Sequence, residues 1–271
     1  MPIAASWTET RRDVGDVVTL LRFRARTARR GRVRGALAAF ALITLAAAVV
    51  PALVPGAGEG DRAFNLVLLL PTAMAGVVLV AILSAVASGG GRELIAREHA
   101  SVMPVSPTTD HLGALVLAPL NIAWLLQAWT LLGAAAYAVG DRTPIALAGV
   151  EIGLLLWLVL ATALGQLAAW TIEGIRRTVH GVPIVRALAV LALATALAMQ
   201  FAGLLVRALD AAPTAPVFVG LLQAPAARWW TTVGLVALAV VLVIAAGAVP
   251  ARWAGRRLPV DEVEVETGHR R

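Results

Sequence analysis

Side chains able to do chemistry are few in this chain, and they are scattered. Glu151 is the one carboxylate inside a long apolar run, roughly two turns from its start. An acid at that depth in a membrane is costly and marks a functional-site candidate by default. The plainer reading is that it reaches the nearby membrane surface or pairs with a neighbour. Asn121, Gln127, Gln166 and Gln200 are uncharged polar residues in apolar surroundings and are expected to face a bundle interior. Asn121, Trp124 and Ala128 fall at i, i+3 and i+7, with Gln127 at the edge of that face. The face formed by Asn121, Trp124 and Gln127, together with Glu151, is a candidate substrate path, the indole offering a broad amphipathic contact. It reads equally as interhelical packing and hydrogen bonding, worth about 1 kcal/mol per contact. Trp129 points elsewhere on the same helix.

The remaining chemistry is sparse. His99, His111, His180 and His269 are placed in loops or the tail, and the Glu98-His99 and Asp110-His111 pairs match no established metal spacing. No Gly-x-Ser-x-Gly elbow occurs. All 23 basic residues are Arg, so a lysine Schiff base, a lysine general base and the P-loop lysine are excluded. Without Cys there is neither a disulfide nor a thiol nucleophile. The expectation is a chain with no catalytic residue, no metal and no cofactor of its own.

The elements that must position these residues are membrane spans. The 271 residues are 59% hydrophobic and only 14% charged, with a mean hydropathy of +0.83, against about a quarter charged in a soluble domain. A bilayer core of about 30 Å takes ~20 apolar residues. Six segments qualify: Gly35–Val54, Asn65–Ser88, Leu112–Val139, Ile145–Ile172, Ala187–Val206 and Trp230–Val249. Pro71 and Pro119 are expected to kink spans two and three. Gly140 to Pro144 makes a tight helical hairpin between spans three and four. The expected fold is therefore an all-α membrane protein, with residues 1–34 as an N-terminal interfacial part, 35–249 as a six-helix transmembrane domain and 250–271 as a tail.

Arg placement orients the spans. Segments 1–34, 89–111, 173–186 and 250–271 hold nineteen Arg residues, against four in 55–64, 140–144 and 207–229. The positive-inside bias puts both termini in the cytoplasm. Arg11-Arg12 is a twin-arginine pair, but the apolar run begins over twenty residues later, so the first span is expected to stay as an anchor rather than be cleaved.

Outside the spans there is room only for short helices. Val14, Val17, Val18 and Leu21 at helical spacing lead into an Arg cluster, which reads as an amphipathic helix on anionic headgroups, or simply as a positive-inside anchor. The pI near 11.4 comes with no aromatic interleaving or nucleic-acid-binding fold, so no nucleic-acid partner is expected. Segment 89–111 opens on Gly89-Gly90-Gly91, continues as the helix-forming Arg92 to Ala100, and ends in Met103-Pro104-Val105-Ser106-Pro107. This is a short charged helix, either a solvated surface helix or a peg for a cytoplasmic partner. Segment 207–229 carries Asp210 between two Arg residues, while Pro216 to Leu222 is apolar, too short to cross and poorly suited to water. It is expected to be an external re-entrant or interfacial segment.

In these residues the chain resembles the membrane subunits of ABC-2 type exporters. The resemblance implies an amphipathic cytoplasmic helix before span one, at residues 13–34. It also implies a coupling helix docked in the ATPase at Arg92–Met103, with Arg92, Glu93, Arg97, Glu98 and Met103 as the coupling residues. Met103 to Pro107 is similar to the family's exit from that helix, and 211–228 to its re-entrant external helices. Glu173-Gly174-Ile175-Arg176-Arg177 would make a second ATPase contact. The implied activity is export of a hydrophobic or amphiphilic substrate (drug, lipid or natural product) from a bacterial cell through the plasma membrane. ATP and Mg would sit on a separate ATPase subunit, and a second permease copy or paralogue would complete a dimer in the lipid bilayer. From other classes, an ion- or proton-coupled secondary transporter using Glu151 and a non-transporting membrane assembly factor remain open.

Overall fold

The computed structural model describes residues 15, 30–87, 106–118, 121–140 and 143–255, and every element among them is helical. In hydrocarbon each backbone N–H and C=O must find its partner within the segment, and a helix satisfies them all locally. Helix α1 runs over Arg30–Val49 and continues as a 3-10 turn, Val50–Leu53, where Pro51 has no N–H to extend the α ladder. Helix α2, Gly60–Ala87, passes unbroken through Pro71. Helices α3, Pro107–Leu117, and α4, Ile122–Val139, follow. Next come α5, Pro144–Arg176, and α6, Gly181–Phe201. Two short helices, α7 (Leu204–Asp210) and α8 (Thr214–Leu221), meet at a 51° bend before α9, Ala227–Gly255. Six of these, α1 with its 3-10 turn, α2, α4, α5, α6 and α9, are long and apolar enough to cross a membrane.

The starts of the middle helices are written locally. Ser106, Asn121 and Thr143 each turn a side-chain oxygen onto a free N–H of the first turn, at 3.1, 3.0 and 3.2 Å, and Pro107 and Pro144 occupy first-turn positions where no N–H is needed. One consequence corrects the expected third span. Leu112–Val139 is not one helix but two, because Asn121 is extended (φ −83°, ψ 129°) and starts α4 afresh. Pro119, expected to kink the span, lies outside the described residues, within the break. Of the expected interfacial helix at residues 13–34, only residue 15 and residues 30–34 are described, the latter as the start of α1. The coupling segment with Arg92, Glu93, Arg97, Glu98 and Met103 and the tail beyond 255 lie outside the described residues.

Helix α5, at 33 residues about 50 Å long, is the axis of the bundle. It packs most extensively on α9, then on α2, and also touches α3, α4, α6 and α8. Helices α1 and α6 form the flanks, the former held by α4 and the latter by α5, α7 and α2. The core contains Leu70, Met74, Leu132, Leu154, Leu158 and Phe218, all nearly inaccessible.

Four indoles staple this core. Trp157 donates to the Met74 carbonyl (2.9 Å), Trp124 to Thr162 Oγ1 (2.9 Å), Trp129 to Thr44 Oγ1 (3.0 Å) and Trp229 to the Gly149 carbonyl (3.0 Å). They join α5 to α2, α4 to α5, α4 to α1 and α9 to α5. An indole N–H left bare in an apolar medium is costly, so each bond fixes the register of a helix pair. At one end of the bundle the α1–α2 loop is pinned to the α4–α5 hairpin, where Gly58 N–H donates to the Tyr137 carbonyl at 2.8 Å.

Candidate functional site

The candidate chemistry lies at the two ends of α5. Near its first turns, Gly149 and Gly153 share one face, four residues apart, and their missing side chains admit Ala224 and Leu221 from the segment after α7. Glu151 sits between them in sequence and so points to the opposite face. It is 7% exposed, and neither carboxylate oxygen meets a hydrogen-bond partner among the described residues. Thr162, three turns further along, shares the Glu151 face and accepts the Trp124 indole, so this face of α5 looks toward α4.

The other candidates on the expected path are distributed as follows. Trp124 is half-buried and committed to Thr162. Gln127 is half-buried one turn along α4. Asn121 does not share their helical face, because it is the cap of α4 with its amide oxygen on the Ala123 N–H. Eleven residues, about 16 Å of helix, separate the levels of Thr162 and Glu151, and the seam between is filled by Ala128, Leu131, Leu132, Leu154, Leu158 and Ala161. The polar residues therefore line one seam without meeting at one point. Of the other amides expected inside, Gln166 has its carbonyl oxygen buried, whereas Gln200 is exposed on α6.

At its opposite end α5 joins a compact vertex. Arg177 donates from Nε to Glu173 Oε1 at 2.8 Å and from Nη1 to the Ala254 carbonyl at 2.8 Å, tying the last turn of α5 to the last turn of α9. Glu173 is buried, and the Trp253 ring occupies the space beside Gly174 where any larger residue would put its Cβ. Helix α3 is clamped to the same stretch of α9. Arg252 Nε donates to Thr108 Oγ1 at 3.2 Å, and the Ile244 carbonyl accepts from His111 Nε2 at 3.3 Å. Since a carbonyl only accepts, that ring nitrogen carries the proton. Gly247 makes room for the imidazole, a Cβ there falling 2.6 Å from His111 Cε1.

This corrects the placement of His111, which is not a loop residue but a fully buried member of α3. The vertex also contains residues that sequence reasoning passed over: Thr108, Gly247, Arg252 and Trp253. The Ser106-Pro107 start of a helix was a readable local signal. That α3 would lie against α9 had no signal, because the partners are more than 130 residues apart.

Chemically, the vertex is a mechanical junction. Two long helices and one short helix are held at fixed relative positions by a buried carboxylate, two guanidinium groups and an imidazole. Helix α3 is entered directly from segment 88–105 through its Ser106 cap. No group of three or more His, Asp or Glu placed to hold a metal occurs among the described residues. No protein-family model, curated protein or solved structure matches the chain.

Proposed function

We propose that this chain is the membrane-spanning permease subunit of an ATP-driven exporter of the ABC-2 type. It moves a hydrophobic or amphiphilic substrate out of the cell, energised by a separate ATPase subunit that carries ATP and Mg. Both termini face the cytoplasm of a bacterial plasma membrane, and α7–α8 form the external re-entrant element. The observation that carries the reading is the unbroken linkage from Ser106 through α3 to the ends of α9 and α5. A displacement of segment 88–105 by a closing ATPase reaches α9 through His111 and Arg252, and reaches α5 through Arg177 and Trp253. That is a structural element whose position a ligand bound elsewhere can bias, as energetic coupling requires.

The test is isolation of the tagged chain in mild detergent with an assay for ATP hydrolysis. A stoichiometric ATPase subunit is expected to co-purify. Arg97→Glu and Glu98→Arg are expected to leave insertion intact while lowering substrate-stimulated hydrolysis roughly tenfold, within the range of allosteric coupling energies. Unchanged stimulation in both variants overturns the assignment of the coupling segment.

One observation favours a second reading, a proton- or ion-coupled carrier: the burial of Glu151 with neither oxygen matched among the described residues. Glu151→Gln separates the two. An ATP-driven exporter keeps most of its transport, because Glu151 lies near the start of α5, at the opposite end from the vertex. A carrier that loads a proton on this carboxylate loses transport altogether, with protein abundance and insertion unchanged.

A further inference from the structure

Helix α3 is held on α9 by a side chain whose charge can change near neutral pH. His111 is fully buried, and its Nε2–H donates to the Ile244 carbonyl at 3.3 Å. Its other nitrogen, Nδ1, is buried too and has no hydrogen-bond partner among the described residues. A neutral imidazole tolerates this, because Nδ1 then carries only an unfilled lone pair. An imidazolium does not: both its nitrogens are donors, and Nδ1–H would be aimed where no acceptor meets it. The ring has no room to swing away, since a Cβ on Gly247 would fall 2.6 Å from Cε1 and 2.7 Å from Nε2.

Nothing charged nearby compensates. Helix α3 packs on α9 and α5. From α9 comes Arg252, whose Nε donates to Thr108, one turn back along α3, and α9 has no Asp or Glu in its whole length. Helices α5 and α9 run side by side in one direction, Gly149 against Trp229 and Arg177 against Ala254. Gln166 and Trp170 are therefore the polar residues of α5 nearest the level of the ring. Both are neutral, and Gln166 Oε1 and Trp170 Nε1 are themselves buried without partners among the described residues. The acids of α5 are Glu173, bound by Arg177, and Glu151, about 22 Å of helix away from Gln166. On α3 itself, Asp110 precedes the ring by one residue, about 100° around the helix.

Burial holds the His111 imidazole below its ordinary 6.5, opposed in part by the bond to the Ile244 carbonyl. Once α3 lifts off, the ring regains that ordinary value. The free ring thus takes up a proton below about pH 6.5 while the packed ring resists it, so acid favours the released form. The clamp is at full strength above 6.5 and weakens as the pH falls below it.

We propose that His111 is a proton sensor, locking α3 on α9 while neutral and releasing α3 when its side of the membrane turns acidic. The release is a property of this chain alone. Its consequence, weaker transmission from segment 88–105 to α9 in an acidified cytoplasm, rests on the permease reading.

The test compares the parent with His111→Gln, which keeps an N–H donor for the Ile244 carbonyl and cannot take up a proton. Between pH 7.5 and 5.5 in detergent, the parent's Tm is expected to fall about 3 °C further than the variant's. Equal falls overturn the proposal. A smaller fall in the parent also overturns it, since an acceptor such as Gln166 Oε1 would then be meeting the new N–H. Should the variant fail to fold, the parent alone still decides, through deuterium exchange at the imidazole C2 position read by peptide mass spectrometry. The His111 exchange profile is expected to have its midpoint below pH 6.5, and a midpoint at or above that value overturns the proposal. With the ATPase subunit bound, the ratio of substrate-stimulated to basal hydrolysis is expected to drop roughly fivefold over the same pH range in the parent and to stay flat in the variant. A flat ratio in both overturns the consequence for coupling. Absence of any ATPase subunit overturns the permease reading and leaves the sensor to the other two measurements.

Discussion

Gly140→Ala is expected to be strongly destabilising for a single added methyl. Gly140 ends α4 at φ 65° and ψ −160°, a region that residues with a side chain scarcely enter. A Cβ there would also stand 2.6 Å from Ala57 O, Gly58 Cα and Gly58 N. Backbone cannot rotate away as a flexible side chain can, so the strain and the clash add. Together they cost about 3–5 kcal/mol. The Gly58–Tyr137 bond that pins the α1–α2 loop is lost with them. A fall in Tm of about 6–12 °C in detergent is the expected readout. Gly76→Ala is the matched control, because its Cβ meets nothing within 4 Å. In a helix interior that change is expected to be neutral or to stabilise by about 0.5–1 kcal/mol. Equal Tm values for the two variants would show that the loops do not approach as described.

Arg177→Ala is expected to have the largest effect on coupling. It deletes the guanidinium that joins Glu173 to the Ala254 carbonyl and leaves the cation's place empty beside a buried carboxylate. Breaking such a pair from one side costs about 3 kcal/mol. On the permease reading, α5 then no longer follows α9, and substrate-stimulated ATP hydrolysis falls roughly tenfold while basal hydrolysis by the partner persists. The paired variant Glu173→Gln with Arg177→Gln separates stability from transmission. With both charges gone it recovers much of the lost stability, but the α5–α9 tie through the Ala254 carbonyl is still broken, so stimulation stays low. Recovery of stimulation in the paired variant would mean that Arg177 serves only to neutralise Glu173.

Different physical effects made some parts of this molecule legible and others not. The six apolar stretches are readable because the bilayer demands ~20 apolar residues per crossing, a requirement each segment meets alone. The α4–α5 hairpin is readable because Gly140, Thr143 and Pro144 carry their turn chemistry locally. Glu151 stands out because an acid in an apolar run is conspicuous whatever surrounds it. Span three was misread for the opposite reason. Asn121 was counted as a helix-face residue, whereas its side chain caps its own backbone, and a heptad-like spacing cannot distinguish those two uses of an amide. His111 was misplaced because hydropathy sees an imidazole as a loop residue, while a carbonyl on α9 and the open space over Gly247 make a buried site for it.

Sequence by itself determined what each apolar segment must satisfy alone: apolar enough to enter hydrocarbon, long enough to cross it as a helix, and separated by connecting stretches that hold nearly all the Arg. These are properties of a segment against its solvent, and composition carries them. Only the tertiary structure decided which segments meet. It placed α5 at the axis, drew α3, α5 and α9 into one vertex, and set Asp210 against Thr72 at the middle of a span. Those arrangements rest on contacts between residues 77 to 144 positions apart. Such contacts depend on small residues opening space for large ones and on single donors finding single acceptors. In a chain where Ala, Leu and Val dominate every helix, no local pattern specifies them.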